Sequence, residues 1–264
     1  ALLTSCMGRI FFPALGNSAA NLLRAAGFRV VELRGFGCCG APYRESGERD
    51  KLRRQAQRLL DAVAEAERDG PLTALVTDSA LCAVTLEGYE RLFSKESPQA
   101  AQARSLGERI RELSLFLDEQ GVASRLSWGD PGVGRVAFHD HCQSRHGFNV
   151  HLQPRRLLAA LPVERAAWPE PQLCCGAGGT YMLRLPQRSE AIREFKLQAL
   201  EPDDATWITG TNPGCLMHLA AGKSGPNPSA PSPRVLPLAE LLWQSHQAAD
   251  SPQTPPLSPT SGDE

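Results

Sequence analysis

The residues of this sequence best suited to chemistry are its eight cysteines, which fall into two sets of four. In each set two cysteines are adjacent and are followed by glycine, in the stretches "GFGCCGAPYRESGE" and "LCCGAGGTYML". The first set is Cys6, Cys38, Cys39 and Cys82, and the second set is Cys142, Cys174, Cys175 and Cys215. Because cysteine thiolates are strong ligands for zinc and iron, two sets of four predict metal sites.

The spacing of the cysteines indicates an internal repeat. The first three cysteines of one set lie 136 positions from their counterparts in the other, and the fourth pair lies 133 positions apart. Chance is a poor explanation for four pairs in one order with no cysteine left over. We therefore predict two copies of one unit, at residues 1–130 and 131–245. The Pro- and Ser-rich residues 246–264 are predicted to form a disordered tail.

Four uses of these thiols compete. Structural disulfides are typical of small secreted domains, whereas this chain can bury a core of its own and shows no export signal. Buried cysteines that act as small apolar residues would not need adjacent pairs in glycine loops. Structural zinc is a stronger candidate, because four thiolates form a good tetrahedral site. An iron-sulfur cluster is favoured over zinc, since adjacent side chains tend to point apart and can then bind different irons.

Strands and helices alternate along the chain. Apolar runs in "ALLTSC", "RVVEL", "LTALVTD" and "RVAFHDHC" predict strands. One amphipathic helix is predicted from Ser46, as its N-cap, to Gly70, and another over the stretch "SLGERIRELSLFLDEQG". The alternation predicts an α/β fold of two pseudo-symmetric repeats, each a small, mostly parallel sheet flanked by helices.

The predicted strands place the cysteines together. Cys6, Cys82, Cys142 and Cys215 come at or just after the end of a strand, and each Cys-Cys-Gly loop lies between a strand and a helix. Open α/β sheets bind ligands at the carboxyl ends of their strands. Each repeat is therefore expected to present four thiols at one edge of its own sheet.

The charge balance limits the choice of partners. The formal net charge is -1 with an isoelectric point near 6.7, so a nucleic-acid partner is not expected. The longest apolar run, at residues 72–86, is interrupted by Asp78 and is shorter than a membrane-spanning helix requires.

The motifs resemble those of the cysteine-rich CCG domain family. Its members include the cysteine-rich subunit of heterodisulfide reductase, the L-lactate utilisation iron-sulfur protein and the glycolate oxidase iron-sulfur subunit. The stretches "LLTSCMGRIFFP", "HDHCQSRHG" and "TGTNPGCLMHLAAG" are most similar in kind and order to the C-terminal half of the glycolate oxidase subunit. The resemblance covers roughly residues 1–245 and implies that all eight cysteines bind one or two iron-sulfur clusters, of the [4Fe-4S] type by thiolate number.

The resemblance also implies a function. Relatives of this type pass electrons from a flavin-containing oxidase subunit, which oxidises glycolate or lactate, toward a quinone. A ferredoxin-like module, upstream or on a separate chain, belongs to such a complex. The organic step would lie on the partner, so no catalytic residue is assigned to this chain. The expected location is the cytoplasm, including peripheral attachment at the inner face of the cytoplasmic membrane.

One departure from the family pattern bears on the cluster type. In the cysteine-rich subunit of heterodisulfide reductase the last cysteine of each repeat belongs to a Cys-x-x-Cys pair, whereas Ser79 and Asn212 stand at those positions here. The missing fifth thiolate speaks against a non-cubane cluster and disulfide cleavage. The same-family alternatives are a heterodisulfide reductase-like or an L-lactate utilisation component. The alternative from another class is a zinc-stabilised scaffold without a redox role.

Several histidines lie close to the cysteines in sequence. His139, His141 and His146 surround Cys142, and His218 follows Cys215 by three residues. The simpler interpretation is a polar strand end with hydrogen-bonded imidazoles. The alternative gives His141 or His218 an accessory role, as a further ligand or a proton donor.

Overall fold

A computed structural model describes residues 1–33, 35–168, 172–200, 207–223 and 232–250 of the chain. The first repeat contains, in order, β1 (Leu2–Leu3), α1 (Cys6–Phe11), α2 (Leu15–Ala25), α3 (Ala41–Glu45), α4 (Arg49–Ala66), β2 (Leu75–Thr77), α5 (Ala80–Glu87), α6 (Pro98–Glu108), β3 (Ile110–Glu112), α7 (Leu113–Glu119) and α8 (Val122–Arg125). The second repeat contains β4 (Val136–Phe138), a π-helix (Gln143–Gly147), α9 (Gln153–Ala160), β5 (Arg165–Ala166), α10 (Tyr181–Arg184), α11 (Pro186–Gln198), β6 (Trp207–Gly210), α12 (Pro213–Ala220), β7 (Arg234–Pro237) and α13 (Leu238–Asp250).

The strands form two parallel sheets, which confirms the predicted fold class. The first sheet has the order β1-β2-β3, and the second has the order β5-β4-β6-β7. The predicted strand "RVVEL" is reduced to one parallel bridge, between Leu2 and Glu32, at the sheet position that β5 occupies in the second repeat. The two sheets therefore repeat one topology.

The central strands are buried because helices cover both faces of each sheet. All three residues of β2 are buried, as are all three residues of β4. Continuous apolar runs of this kind are typical of parallel strands that are buried on both faces.

The two repeats share a core. One cluster of buried side chains takes Leu22 and Phe116 from the first repeat and Leu157 and Leu241 from the second. The C-terminal helix α13 packs on α2, and α7 packs on α9. Each repeat also has an apolar cluster of its own. The shared cluster holds the two sheets in one packed unit.

Two predicted helices differ from the structure. Ser46 does not cap α4: its hydroxyl donates to the carbonyl of Pro42 at 2.8 Å, closing α3, and Glu48 precedes α4 instead. The helix predicted over "SLGERIRELSLFLDEQG" is split by β3, which pairs with β2. The buried Ile110 favours this strand, because a β-branched residue packs well in a sheet and β2 needs a second partner.

The predicted tail begins too early. Residues 246–250 belong to α13, because His246 packs against Trp128 and Trp243 and the neighbouring Ser245 hydroxyl donates to the carbonyl of Gly129. Residues 251–264 of the predicted tail lie outside the described residues, as do residues 224–231. No helix in the described ranges is both long and apolar enough to cross a membrane.

Candidate metal centres

The carboxyl ends of the strands position the cysteines as predicted. Cys6 is the first residue of α1, which follows β1, and Cys82 lies in the first turn of α5, which follows β2. Cys142 and Cys215 hold the matching places, at the start of the π-helix and in the first turn of α12. Two thiols of each set therefore lie where a strand ends and a helix begins, at the carboxyl edge of the sheet.

The four thiols of the first set lie together. The sulfur atoms of Cys6 and Cys38 are 3.8 Å apart. The thiol of Cys39 is hydrogen-bonded to both Cys38 and Cys82. The contacts therefore run continuously through all four side chains. Cys39 and Cys82 are buried, whereas Cys6 and Cys38 are partly open to solvent.

The second set has the same arrangement. The thiol of Cys174 is hydrogen-bonded to Cys142 and Cys175, and Cys175 is also hydrogen-bonded to Cys215. Again two thiols are buried, those of Cys175 and Cys215, whereas Cys142 and Cys174 are exposed. The structure thus assembles each predicted set of four, with a closed side and an open side.

One cysteine in each site is favoured as a thiolate. Hydrogen bonds from Cys39 and Cys6 lower the pKa of Cys38, and hydrogen bonds from Cys142 and Cys175 lower the pKa of Cys174. The backbone N–H groups of Gly40 and Gly176 also donate to these two sulfurs, each at 3.4 Å. A thiolate held by such donors is ready to bind a metal, because the deprotonated form is the ligand.

The adjacent cysteines interact with one another. The thiols of Cys38 and Cys39 are hydrogen-bonded, and so are those of Cys174 and Cys175. The loop that carries each pair ends at Gly40 (φ 74°) or Gly176 (φ 91°), in the left-handed region that favours glycine. Among the described residues, Cys174 does not join Cys175 and Cys215 in a group of ligand atoms within 4.8 Å of one another, and that adjacent cysteines bind different irons stays a prediction. By donor number and type, each site fits an iron-sulfur cluster or tetrahedral zinc.

The two sites adjoin one another across the pseudo-symmetric interface. Ser79, three residues before Cys82, donates through its hydroxyl to Oδ1 of Asn212, which is three residues before Cys215, at 3.2 Å. Asn212 Nδ2 in turn donates to the sulfur of Cys215 at 3.3 Å. Helix α1 packs on α12, and α5 packs on the π-helix. The two residues that replace a fifth cysteine therefore link the repeats.

The second site contains a histidine that the sequence interpretation did not select. A ring nitrogen of His139 and the sulfurs of Cys175 and Cys215 all lie within 4.8 Å of one another. The imidazole packs at a tilt against Trp168, with ring centroids 6.1 Å apart, and the Lys196 ammonium lies 4.3 Å from the centre of that indole ring. His139 is 1% exposed and Lys196 is completely buried. Burial lowers the pKa of Lys196 to about 8, against the opposing effect of the nearby thiols.

The two histidines that were predicted as accessory residues make other contacts. Nε2 of His141 lies 2.8 Å from the hydroxyl of Thr211, and its Nδ1 accepts the backbone N–H of Ser144. Nε2 of His218 lies 3.0 Å from the hydroxyl of Ser189. Burial lowers the pKa of both imidazoles. These contacts match the simpler interpretation, in which the imidazoles are hydrogen-bonded structural groups.

The helix that backs each site differs in character between the repeats. The inner face of α4 carries Leu52, Ala56 and Leu59, all buried. The same face of α11, 137 positions later, carries Ser189, Arg193 and Lys196, which are also buried. A comparison of the two repeats residue by residue would have revealed this polar substitution from the sequence.

Comparison with known proteins identifies the repeated unit. The family model for the cysteine-rich domain CCG matches residues 1–87 and 136–220, so it occurs twice in the chain. These segments include all eight cysteines, and they place the repeat where the cysteine spacing places it.

Curated relatives extend over nearly the whole chain. Lactate utilization protein A 2 of Bacillus cereus is 27% identical over 244 residues, which are 92% of this chain and 96% of that protein. Lactate utilization protein A 1 of Bacillus anthracis is 26% identical with the same coverage. Lactate utilization protein A of Geobacillus kaustophilus is 28% identical over 220 residues, 83% of this chain and 89% of that protein.

Proposed function

The chain belongs to the cysteine-rich CCG domain family, and from that premise we propose that it is an iron-sulfur electron-transfer subunit of a system that oxidises a 2-hydroxy acid. Lactate is the proposed acid, because the three relatives are named for lactate utilisation. The resemblance to the glycolate branch rests on short motifs alone. A component of the heterodisulfide reductase type is disfavoured, since Ser79 and Asn212 leave each site with four thiols.

The observation that supports electron transfer best is the adjacency of two four-thiol sites in one packed unit. A structural metal does not require a second metal site beside it. In an electron carrier, a second site nearby provides the next position for the transferred electron. The contact from Ser79 through Asn212 to the sulfur of Cys215 spans the boundary between the sites. A second contact joins the segments that follow the two Cys-Cys-Gly motifs, where the Thr180 N–H donates to Glu45 at 2.9 Å.

The roles of the protein side chains follow from their placement. Iron-sulfur clusters, when bound, would accept and release single electrons. The buried thiols Cys39, Cys82, Cys175 and Cys215 would hold the closed side of each site. Cys142 and Cys174 would leave the second site open to a partner. The glycine N–H groups at Cys38 and Cys174 would stabilise thiolate charge.

The proposed partners follow from the chemistry of the overall reaction. Oxidation of a 2-hydroxy acid to a 2-oxo acid releases two electrons and two protons, which a flavin on a separate oxidase subunit would take up. This chain would receive the electrons one at a time and pass them toward a quinone, with a ferredoxin-like module as a further relay. The proposed location is the cytoplasm or the inner face of the cytoplasmic membrane.

Anaerobic purification followed by iron, sulfide and zinc analysis tests the proposal. We expect a brown protein with iron and acid-labile sulfide in equal amounts and an electron paramagnetic resonance (EPR) signal after reduction. Zinc is the competing occupant, because four thiolates also form a good tetrahedral zinc site. A colourless protein that takes up zinc and no iron after anaerobic reconstitution would contradict the proposed function.

A further inference from the structure

The two cysteine sites differ at a matching position at the carboxyl end of the strand that leads to the first cysteine of each repeat, β1 or β4. In the second repeat this position is His139, whose ring nitrogen lies among the sulfurs of Cys175 and Cys215. In the first repeat the residue 136 positions earlier is Leu3, which is buried and has no donor atom in its side chain. The pseudo-symmetry therefore places a nitrogen donor in only one of these two matching positions.

The surroundings of His139 hold its ring in place. The backbone N–H of His139 donates to the carbonyl of Thr209 at 2.8 Å, which fixes the residue at the end of β4 beside β6. The indole of Trp168 lies against the imidazole, and Lys196 lies over the indole. An imidazole that is packed in this way loses little further freedom when it binds a metal.

The other buried histidines of the second repeat provide a contrast. His141 contacts Thr211 and Ser144 through its two ring nitrogens, and His218 contacts Ser189. Their contacts are with hydroxyl and backbone groups. The ring nitrogen of His139, in contrast, lies within 4.8 Å of two sulfurs that belong to the candidate site.

We propose that His139 is a nitrogen ligand of the second centre, which therefore has a mixed nitrogen and sulfur donor set, whereas the first centre has thiolates alone. This inference rests on the proposed iron-sulfur function. The neutral imidazole would donate the lone pair of one nitrogen to iron while the other nitrogen keeps its proton, so no electron is gained or lost. Since a [4Fe-4S] cluster takes four ligands, His139 would take the place of one of the two exposed thiols, Cys142 or Cys174, which would stay protonated and unligated. Histidine in place of thiolate raises the reduction potential of iron-sulfur centres, because it adds less negative charge. The second centre would then accept electrons from the first.

The test uses full-length variants that retain one site each. Cys39→Ser should leave the second centre, and Cys175→Ser should leave the first. Pulsed EPR on the reduced proteins measures whether a ligand nitrogen is coupled to the cluster spin. We expect a strong nitrogen coupling in Cys39→Ser that changes when the protein is grown with 15N-histidine, and no such coupling in Cys175→Ser. The isotope requires no substitution at His139, so this measurement does not depend on whether a His139 variant folds.

Variants at the histidine identify which ring is responsible. In the Cys39→Ser protein, His139→Leu should abolish the coupling, since leucine is the residue at the matching position of the first repeat. The matched control, His141→Gln, should retain it. Iron in Cys39→Ser without a histidine coupling, or a coupling that survives His139→Leu, would overturn the inference.

The same samples separate this inference from the proposed function. If the protein binds zinc and no iron, the electron-transfer proposal fails, and X-ray absorption at the zinc edge then counts the nitrogen ligands. A nitrogen that His139→Leu removes would support the ligand assignment, and sulfur ligation alone in the second site would overturn it.

Discussion

The two cysteine sites have the same backbone arrangement but differ in the side chains that surround them. Both place two buried and two more accessible thiols at the carboxyl edge of a parallel sheet. Behind the first site the helix face is apolar, with Leu52 and Leu59, whereas behind the second it is polar, with Ser189 and Lys196. The fold determines which positions are buried. The residue types at those positions determine how a bound centre behaves.

The largest expected effect comes from removing one thiol at a time. If both sites hold clusters, Cys39→Ser and Cys175→Ser should each lose about half of the iron, because four thiolates are the usual ligand number for one [4Fe-4S] cluster. Iron analysis after anaerobic reconstitution measures the loss, with a Ser79→Ala variant as the control outside both ligand sets. Unchanged iron in both cysteine variants would refute the ligand assignment.

The second prediction compares the glycines that end the two loops. A Cβ at Gly176 would overlap the carbonyl oxygen of Ser189, whereas a Cβ at Gly40 would meet the end of the Leu52 side chain at 2.9 Å. Both substitutions carry the cost of a left-handed conformation, but a leucine side chain can move more easily than a backbone carbonyl.

We therefore expect Gly176→Ala to lower the free energy of unfolding by about 3 kcal/mol or more and Gly40→Ala by about 1–2 kcal/mol. Urea unfolding of the metal-free chain, followed by circular dichroism, measures the difference. Equal losses would show that the second loop is less constrained than its contacts indicate.

The third prediction concerns a carboxyl that only the first repeat has. Glu112 ends β3, whereas Pro237 stands at the matching end of β7. Burial raises the pKa of Glu112 to about 7. Between the unfolded pKa and this value the folded chain binds more protons than the unfolded chain, so the contribution of Glu112 to stability falls as pH rises.

Glu112→Gln should remove this pH dependence and increase stability at pH 8 by on the order of 2 kcal/mol relative to wild type. Little difference is expected near pH 4, where the carboxyl is largely protonated in both states. Urea midpoints measured from pH 4 to 8 test this, and the exposed Glu194→Gln is the matched control. If the free energies of unfolding of the wild type and Glu112→Gln change equally with pH from 4 to 8, the prediction is contradicted.

The smallest expected effect comes from the buried ammonium behind the second site. Lys196→Met should lower the reduction potential of the second centre and leave the first unchanged, because it removes a positive charge. The expected change is on the order of 1–2 kcal/mol at an effective dielectric constant near 20. Redox titrations followed by EPR measure both centres in one sample. The controls are Lys196→Arg, which keeps the positive charge, and Leu59→Met, at the matching position of the first repeat. A change in the reduction potential of the first centre alone would contradict the expected difference between the sites.

The sequence predicted the repeat and the thiol sets because both depend on local spacing. Cysteines after short apolar strands had to meet at a sheet edge, and the structure brings them together. The helix boundary at Ser46 was wrong, because a serine hydroxyl can close one helix as readily as it caps the next.

The contacts between repeats could not be derived in the same way. The position of His139 among the sulfurs depends on the packing of Trp168 and α11, which local patterns do not report. The same limit applies to Ser79 and Asn212, which the sequence presents only as missing thiols and not as partners of one another. An alignment of the two repeats, in which Leu3 matches His139, shows a difference in residue type that the periodicity of apolar residues does not show.

The most direct test of the central claim is an EPR-monitored redox titration of the anaerobically purified full-length protein. We predict iron and sulfide sufficient for two clusters and two one-electron transitions, with the higher potential belonging to the centre that Cys175→Ser removes. A single transition that both Cys39→Ser and Cys175→Ser abolish would contradict two separate centres. A protein with no paramagnetic signal and no iron would contradict the electron-transfer function itself.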